Sequence, residues 1–333
     1  MATTYQHIAQ NKRRTGMLVL LFPIVFALLT ALVLGGVMFF GGFTQPQTAP
    51  MVINGQVLSS TQVALIQAAI TATGVAVICW ILACIWMAFS YFSGDKLLLS
   101  SADAIPVTRQ DQPEIYRLVE NLCMSRRLPL PRIYIMDDES LNAFATGRDP
   151  EHASVALTKG IVKKLERAEL EGVVAHELSH IENRDIRLML ITVAGISFFT
   201  FAGELCFRLG LSSSRGNRRS GAFLLILLGL VCWGYGLVFA PLIRLAMSRQ
   251  REYLADATGA LMTRNPAALA SALRKISSDS RVEALDKRAS MAAMCIENPL
   301  AKQNLFSWMT GLMATHPPIA KRIAALEEMD RGF

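Results

Sequence analysis

Residues 15–94 contain no Asp, Glu, Lys or Arg. Eighty consecutive uncharged residues are too many for one helix and more than a water-soluble core needs. Within them, 16–40 and 63–92 are strongly apolar. Each exceeds the roughly 20 residues that cross a bilayer core. The intervening 41–61, rich in Gly, Gln, Pro, Ser and Thr, reads as a short loop. Two further apolar stretches, 188–210 and 222–243, flank a segment holding Arg215, Arg218 and Arg219. Glu204 and Arg208 in the third stretch either pair on one helical face or sit at a wet helix end. Only 18% of the 333 residues are charged, and 52% are hydrophobic. Soluble domains are about one-quarter charged. A disordered chain is excluded, and an ordinary cytosolic enzyme is disfavoured.

Orientation follows from Lys12, Arg13 and Arg14, which precede the first span, while the loop after it has no basic residue. This places the N-terminus in the cytoplasm. Two crossings return the chain there near Asp95. The arginines of 211–221 would then lie outside if the second hairpin spans fully, against the positive-inside tendency. The first apolar run is too long for a cleaved signal peptide, and a second follows soon after. The net charge of +7 is spread over the chain. It forms no dense basic stripe, so nucleic acid is not an expected partner; the bilayer and anionic lipid are. None of the six cysteines has zinc-ribbon spacing, and all read as reduced packing residues.

The polar segments divide the chain into 1–94 (N-terminus and first hairpin), 95–187 (a catalytic part), 188–244 (second hairpin) and 245–333 (a helical catalytic part). In 95–187 the spacing of Ile115, Leu118, Val119 and Leu122 predicts a helix over 112–126. Strands are expected at 132–136, 142–146 and 153–158. The turn Gly147-Arg-Asp-Pro150 separates the last two. A helix is expected from about 159 to 187. In 245–333, helices are expected at 247–263, 266–276 with Asn265 as N-cap, and 319–329. Residues 277–314 resist assignment.

Two of only five histidines stand in His176-Glu177-Leu178-Ser179-His180, an H-E-x-x-H string inside a predicted helix. Positions i and i+4 share a helical face. Two imidazoles there can hold one metal ion, and neutral imidazole suits Zn²⁺. Glu177 can reach the attacking water without being a ligand, take its proton and pass it to the leaving amine. One more protein ligand is needed. His7 lies before the first span, and His152 sits in a polar turn. Glu252, in Arg251-Glu-Tyr-Leu-Ala-Asp256, is the better candidate. Asp256, four residues later on the same face, would orient His176 or His180, because a metal-bound His usually donates its other N–H to a carboxylate or carbonyl. Donor type alone does not choose zinc over another divalent ion.

These strings, in this order, resemble the HtpX-type membrane zinc endopeptidases. Those are relatives of the CAAX prenyl protein proteases in the gluzincin group. The matching residues are Asn142-Ala-Phe-Ala-Thr-Gly147, Val174-Ala-His-Glu-Leu-Ser-His-Ile181 with Asp185, Arg251-Glu-Tyr-Leu-Ala-Asp256, and Thr315-His-Pro-Pro318 with Arg322-Ile323. The opening Gln6-His-Ile-Ala-Gln-Asn-Lys-Arg-Arg14 extends the match to nearly the whole chain. The resemblance implies one Zn²⁺ per chain on His176, His180 and Glu252, with Glu177 catalytic. It also implies quality control of misfolded or damaged membrane proteins at a bacterial inner membrane, with stress-linked expression.

The expected architecture is a multi-pass α-helical membrane protein with an α+β, zincin-like, mainly helical catalytic domain facing the cytoplasm. H-E-x-x-H and Glu252 must meet at one ion, so none or two crossings separate them; the 188–243 hairpin supplies two. Asn142, Ala143, Phe144 and Ala145 are expected to take an extended substrate by strand addition, or else to form a buried core strand. Asp185 is a further orienting carboxylate. His316 either stabilises the oxyanion or caps the final helix. The rival readings are a dedicated processing peptidase, as for a prenylated protein, and a membrane scaffold with a structural zinc. Four spans can hardly enclose the large chamber of the prenyl relatives, and a structural site needs no Glu177.

Overall fold

The computed structural model describes residues 4–42, 51–53, 56–214, 222–223, 225–234, 249–278 and 318–332. They fall into two compact units. One is built from Met1–Thr15, Phe89–Ala194 and Ala240–Phe333; the other comprises Gly16–Ala88 and Gly195–Phe239.

The apolar unit is built mainly of helices. α1 spans Thr4–Gly42 and α2 spans Ser60–Ser101. At 1.5 Å per residue each is roughly 60 Å long, about twice a bilayer core, so both continue beyond it. Pro23 lies inside α1, a placement that membrane helices tolerate. Ser59 and Gln62 form a reciprocal cap at the start of α2, with hydrogen bonds of 3.3 and 2.9 Å. α6 spans Asp185–Ser214, and the short apolar α7 spans Leu225–Gly234. Three described helices are long and apolar enough to cross a membrane: Ala9–Gly35, Thr61–Ser101 and Asp185–Ser212. The fourth expected span coincides with α7 at its start, and its residues 235–243 lie outside the described set.

Within this unit Phe22 and Phe26 of α1 pack against Phe198 and Phe199 of α6, with ring centroids 4.9–5.7 Å apart. Gly203 of α6 meets Gly229 and Trp233 of α7 so closely that a Cβ on Gly203 would stand 2.6 Å from the Trp233 ring. Small residues at such a crossing let helix backbones approach. Outward-facing Leu20, Leu28, Leu32 and Ile70 are more than 60% exposed, which lipid tolerates and water does not.

The loop expected at 41–61 carries an unexpected hairpin. β1 (Met51–Ile53) pairs antiparallel with β2 (Gln56–Leu58). Asn54-Gly55 between them is the dipeptide that tight hairpins favour, and it was the available signal.

The other unit is α+β. β3 (Ala104–Pro106), β4 (Arg132–Met136), β5 (Ala143–Gly147) and β6 (Ala153–Thr158) form a sheet in the order β3-β4-β6-β5. β4 and β6 are parallel, and the other pairs are antiparallel. Pro106 belongs to β3, an edge strand, where a missing N–H is tolerated. α3 (Pro113–Arg126) and α5 (Arg167–Glu182) enclose the core with Ile133, Val155 and Leu157 of the sheet.

The single helix expected over 159–187 is three elements. α4 (Lys159–Lys164) ends at Leu165, which is extended like Glu166. Glu166 opens α5, and its N–H donates to Glu169. At the other end Asn183 caps α5, Arg184 turns at φ 58°, and Asp185 starts α6. α8 (Arg249–Thr263), α9 (Pro266–Ser278) and α10 (Ile319–Asp330) follow. Asn265 caps α9 through the N–H of Ala268 at 3.0 Å, as the sequence predicts. Residues 279–317 lie outside the described set. The five described cysteines are free thiols. Burial and neighbouring Glu120 push Cys123 up to about 11, leaving it unreactive.

Candidate metal centre

α5 runs through the middle of its unit, so even its polar residues are enclosed: His176, Glu177, Ser179 and His180 are all buried. α8 crosses it at Gly259. A Cβ there would stand 3.0 Å from the backbone nitrogen of His176. Glu252, Asp256 and Gly259 are spaced i, i+4, i+7 and share one helical face. The close approach that the glycine permits therefore also delivers both carboxylates to the histidines.

The Nε2 atoms of His176 and His180 are 3.2 Å apart, with the rings perpendicular. Glu252 brings Oε2 to 3.8 Å from the first and Oε1 to 3.6 Å from the second. Among the described residues these three form the group able to hold a metal ion, with all ligand atoms within 4.8 Å of one another. Behind the rings, Asp256 Oδ1 lies 3.0 Å from Nδ1 of His176. Asp185 Oδ2 lies 3.1 Å from Nδ1 of His180. Asp185 accepts from Nδ1–H of His180, and the Asp256 carboxylate stands at ion-pair distance from Nδ1 of His176, so neutral imidazoles protonated at Nδ1 turn both Nε2 lone pairs inward.

This donor set fits zinc. Ligands about 2.05 Å from a tetrahedral ion stand about 3.3 Å apart, close to the observed separations. Two facing lone pairs at 3.2 Å repel unless a cation lies between them. The buried charge agrees. Glu177, Asp185, Glu252 and Asp256 are all buried, and buried carboxylates call for cationic partners. Burial works against a charged His180, but its hydrogen bond to Asp185 and the charges of Glu252, Asp185 and Glu177 outweigh it. They raise His180 to about 9. The pocket therefore favours positive charge here, whether a proton or a metal ion brings it.

Arg322, fully buried on α10, was visible in the sequence only as part of a matching string. Its Nε and Nη2 donate to the two oxygens of Asp256 at 2.8 and 2.7 Å, and its Nη1 lies 3.5 Å from Glu252. Burial opposes ionisation of Asp256, but the Arg322 charge and hydrogen bonds, aided by His176, hold it at about 2. The available signal was a charge on an apolar stripe. Ile319, Arg322, Ile323 and Leu326 share one face of α10, whose apolar members pack against Leu269 and Leu273.

Of the other expected site residues, Asp256 serves His176, and Asp185 serves His180. Asn142 immediately precedes β5, and Ala143, Phe144 and Ala145 lie in it. β5 is an edge strand whose sheet neighbour is β6. Its side chains are nonetheless buried, so the two alternatives, edge strand and core strand, describe one segment. His152 is half-exposed and pairs with Asp149. His316 lies outside the described residues.

Fold and donor set together define a multi-pass helical membrane protein with a zincin-like metallopeptidase unit. The model of Peptidase family M48 matches residues 109–330, and the chain belongs to that family. It is similar to a protein named Protease HtpX homolog from Bacteroides fragilis, 45% identical over 250 residues, covering 73% of this chain and 77% of that one. A second Protease HtpX homolog, from Ligilactobacillus salivarius, is 38% identical over 330 residues, covering 98% and 99%. The crystal structure of S. mikatae Ste24p aligns over 96% of this chain and 87% of its own, with 16% identity and a TM-score of 0.41.

Proposed function

We propose that this membrane metalloprotease is a zinc endopeptidase that cleaves misfolded or damaged membrane proteins on the cytoplasmic side of a bacterial inner membrane. The observation that carries the reading is the convergence of His176, His180 and Glu252 within 4.8 Å. These three side chains hold one Zn²⁺. Bound there, zinc supplies Lewis-acid polarisation of the scissile carbonyl and lowers the pKa of water. Asp185 keeps the Nδ1 proton of His180 in place, and the Asp256 charge beside Nδ1 of His176 favours the same tautomer there, so both imidazoles present Nε2. Glu177, one residue after His176 and buried beside the ligands, takes the proton from the attacking water and returns it to the leaving amine. His316, in the Thr315-His-Pro-Pro318 string, is the candidate to stabilise the oxyanion, its alternative role being to cap the final helix. The product is two peptides, with no covalent intermediate.

Substrate lies along β5. The carbonyl of Asn142 accepts from the N–H of Thr158 on β6. By antiparallel alternation the N–H of Ala143 then points away from β6, and it meets the side-chain oxygen of Asn142 at 2.9 Å. A backbone grip on that side reads few side chains, which suits a protease acting on unfolded segments. The cytoplasmic placement is supported by Lys12, Arg13 and Arg14 before the first span.

The test offers the purified, zinc-loaded protein an unfolded membrane protein and a prenylated peptide. Cleavage of the former at many positions supports quality control. Cleavage of the prenylated peptide alone would replace this reading with dedicated processing.

A further inference from the structure

α5 meets α6 through only two residues, Asn183 and Arg184. This elbow brings Asp185, the first residue of α6, back to His180, the metal-facing residue five positions earlier. A small change of the elbow angle would carry Asp185 away from the imidazole. The elbow is held from outside by Asn11 of α1, a residue that precedes the apolar stretch starting at 16. Asn11 is buried. Its Nδ2 donates to the carbonyl of Asn183 at 3.1 Å and to Oδ1 of Asp185 at 2.7 Å. The amide thus ties the end of α5 to the start of α6. Its Oδ1 faces Nη1 of Arg251 at 3.4 Å, and the same Nη1 reaches Asp185 Oδ1 at 3.2 Å.

We infer that Asn11 is a positioning residue of the metal site, acting through Asp185 on His180. This rests on the assignment of His176, His180 and Glu252 as metal ligands. The chemistry selects an amide. The group must donate twice, to a carbonyl and a carboxylate, and accept from a guanidinium. A carboxylate could not donate and would face Asp185 with a like charge. An ammonium could not accept. A hydroxyl has one proton to donate. The N-terminal string Gln6 to Arg14 thereby gains a role beyond setting topology: it supplies part of the support for an ion ligated more than 160 residues later. Asn11 touches neither the ligand atoms nor any reacting group.

The test measures zinc affinity of the full chain in detergent by competition with a chromophoric chelator. Wild type is compared with N11L, which removes the polar contacts at similar volume, and with the near-isosteric N11D. Each is also made in a D185N background. Support around a metal ligand is typically worth 10–100-fold in affinity, and Asn11 stands one contact further out. We expect both variants to bind zinc about 3–10-fold more weakly, with activity recovered at saturating zinc. In D185N the added effect should shrink below about twofold, because the two residues act in one chain of contacts. In the chelator-treated protein N11D should lower the melting temperature through its like charge beside Asp185, and that fall should shrink in D185N. Wild-type affinity in both variants overturns the inference and leaves the metal site standing. A loss that persists undiminished in D185N, with an equally undiminished fall in the metal-free melting temperature, overturns it in favour of a packing role. A wild type that takes up no zinc overturns the metal-site reading and this inference with it.

Discussion

Arg322 and Asp256, 66 residues apart, form a fully buried two-pronged ion pair, with hydrogen bonds of 2.8 and 2.7 Å. Asp256 in turn stands 3.0 Å from Nδ1 of His176. The last described helix is therefore fastened to the metal centre through a carboxylate that is itself no ligand. Removing one partner of such a pair leaves a buried charge uncompensated, which costs about 3–5 kcal/mol. Arg322→Ala should lower the melting temperature markedly and weaken zinc binding. Arg322→Lys should recover little, because an ammonium cannot reproduce the planar fork. Thermal unfolding and zinc titration of the two variants check this. A lysine variant matching wild type in both would show that charge alone suffices.

Gly259 sets the distance between α8 and α5. A methyl group there would meet the His176 backbone at 3.0 Å, so one helix must shift by a few tenths of an ångström. The shift acts on Glu252 and Asp256 together. Gly259→Ala should weaken zinc binding by about 10-fold or more, whereas Gly74→Ala, with nothing within 4 Å, should leave it unchanged. Chelator competition on both proteins gives the comparison, and equal affinities would mean that the crossing does not control the ligands.

Glu169 joins α5 to α9. Its carboxylate takes Lys275 at 2.6 Å, Ser271 at 2.6 Å and the N–H of Glu166 at 2.8 Å. Burial works to raise its pKa, but these hydrogen bonds and the Lys275 charge lower it below the usual glutamate value. A lowered folded-state pKa adds stability that is present above the unfolded value, about 4.3, and is lost as pH falls through the folded one. Glu169→Gln should lower the melting temperature at pH 7 and flatten its decline on acidification below about pH 4. Parallel pH series of the two proteins test the sign. A variant with the wild-type acid slope contradicts it.

Much of the candidate metal centre was legible because H-E-x-x-H and Glu252/Asp256 each follow the helical period, which one sequence displays directly. The strands β4, β5 and β6 announced themselves by β-branched and aromatic runs near turn residues. β3 did not, being three residues long and ending in proline. The break between α4 and α5 was hidden because Glu166 is an ordinary helix former whose capping role shows only in its hydrogen bond. The elbow at Asn183-Arg184 carries no glycine or proline to mark it. Asn11, Arg251 and Arg322 escaped for a shared reason: each acts through partners more than 60 residues away, and no local pattern encodes such a contact.

Ala143→Pro separates substrate binding from folding. The N–H it removes points away from β6, so the sheet ladder keeps its bonds. Cleavage should fall by about 10-fold or more while zinc content stays near one equivalent. Equal loss of both would indicate misfolding, and no loss of either would remove β5 from the substrate path.

The most direct measurement compares wild type and Glu177→Gln, both purified in mild detergent and loaded with zinc, on an unfolded protein substrate. Both should hold about one equivalent of zinc, since Glu177 is not among the three ligands. Wild type alone should cleave, with the variant slower by about 10²–10⁴-fold, the usual worth of a general base. A Glu177→Gln protein that cleaves at the wild-type rate would contradict the assignment of the base. A wild type that binds zinc and hydrolyses no peptide bond would contradict the endopeptidase itself.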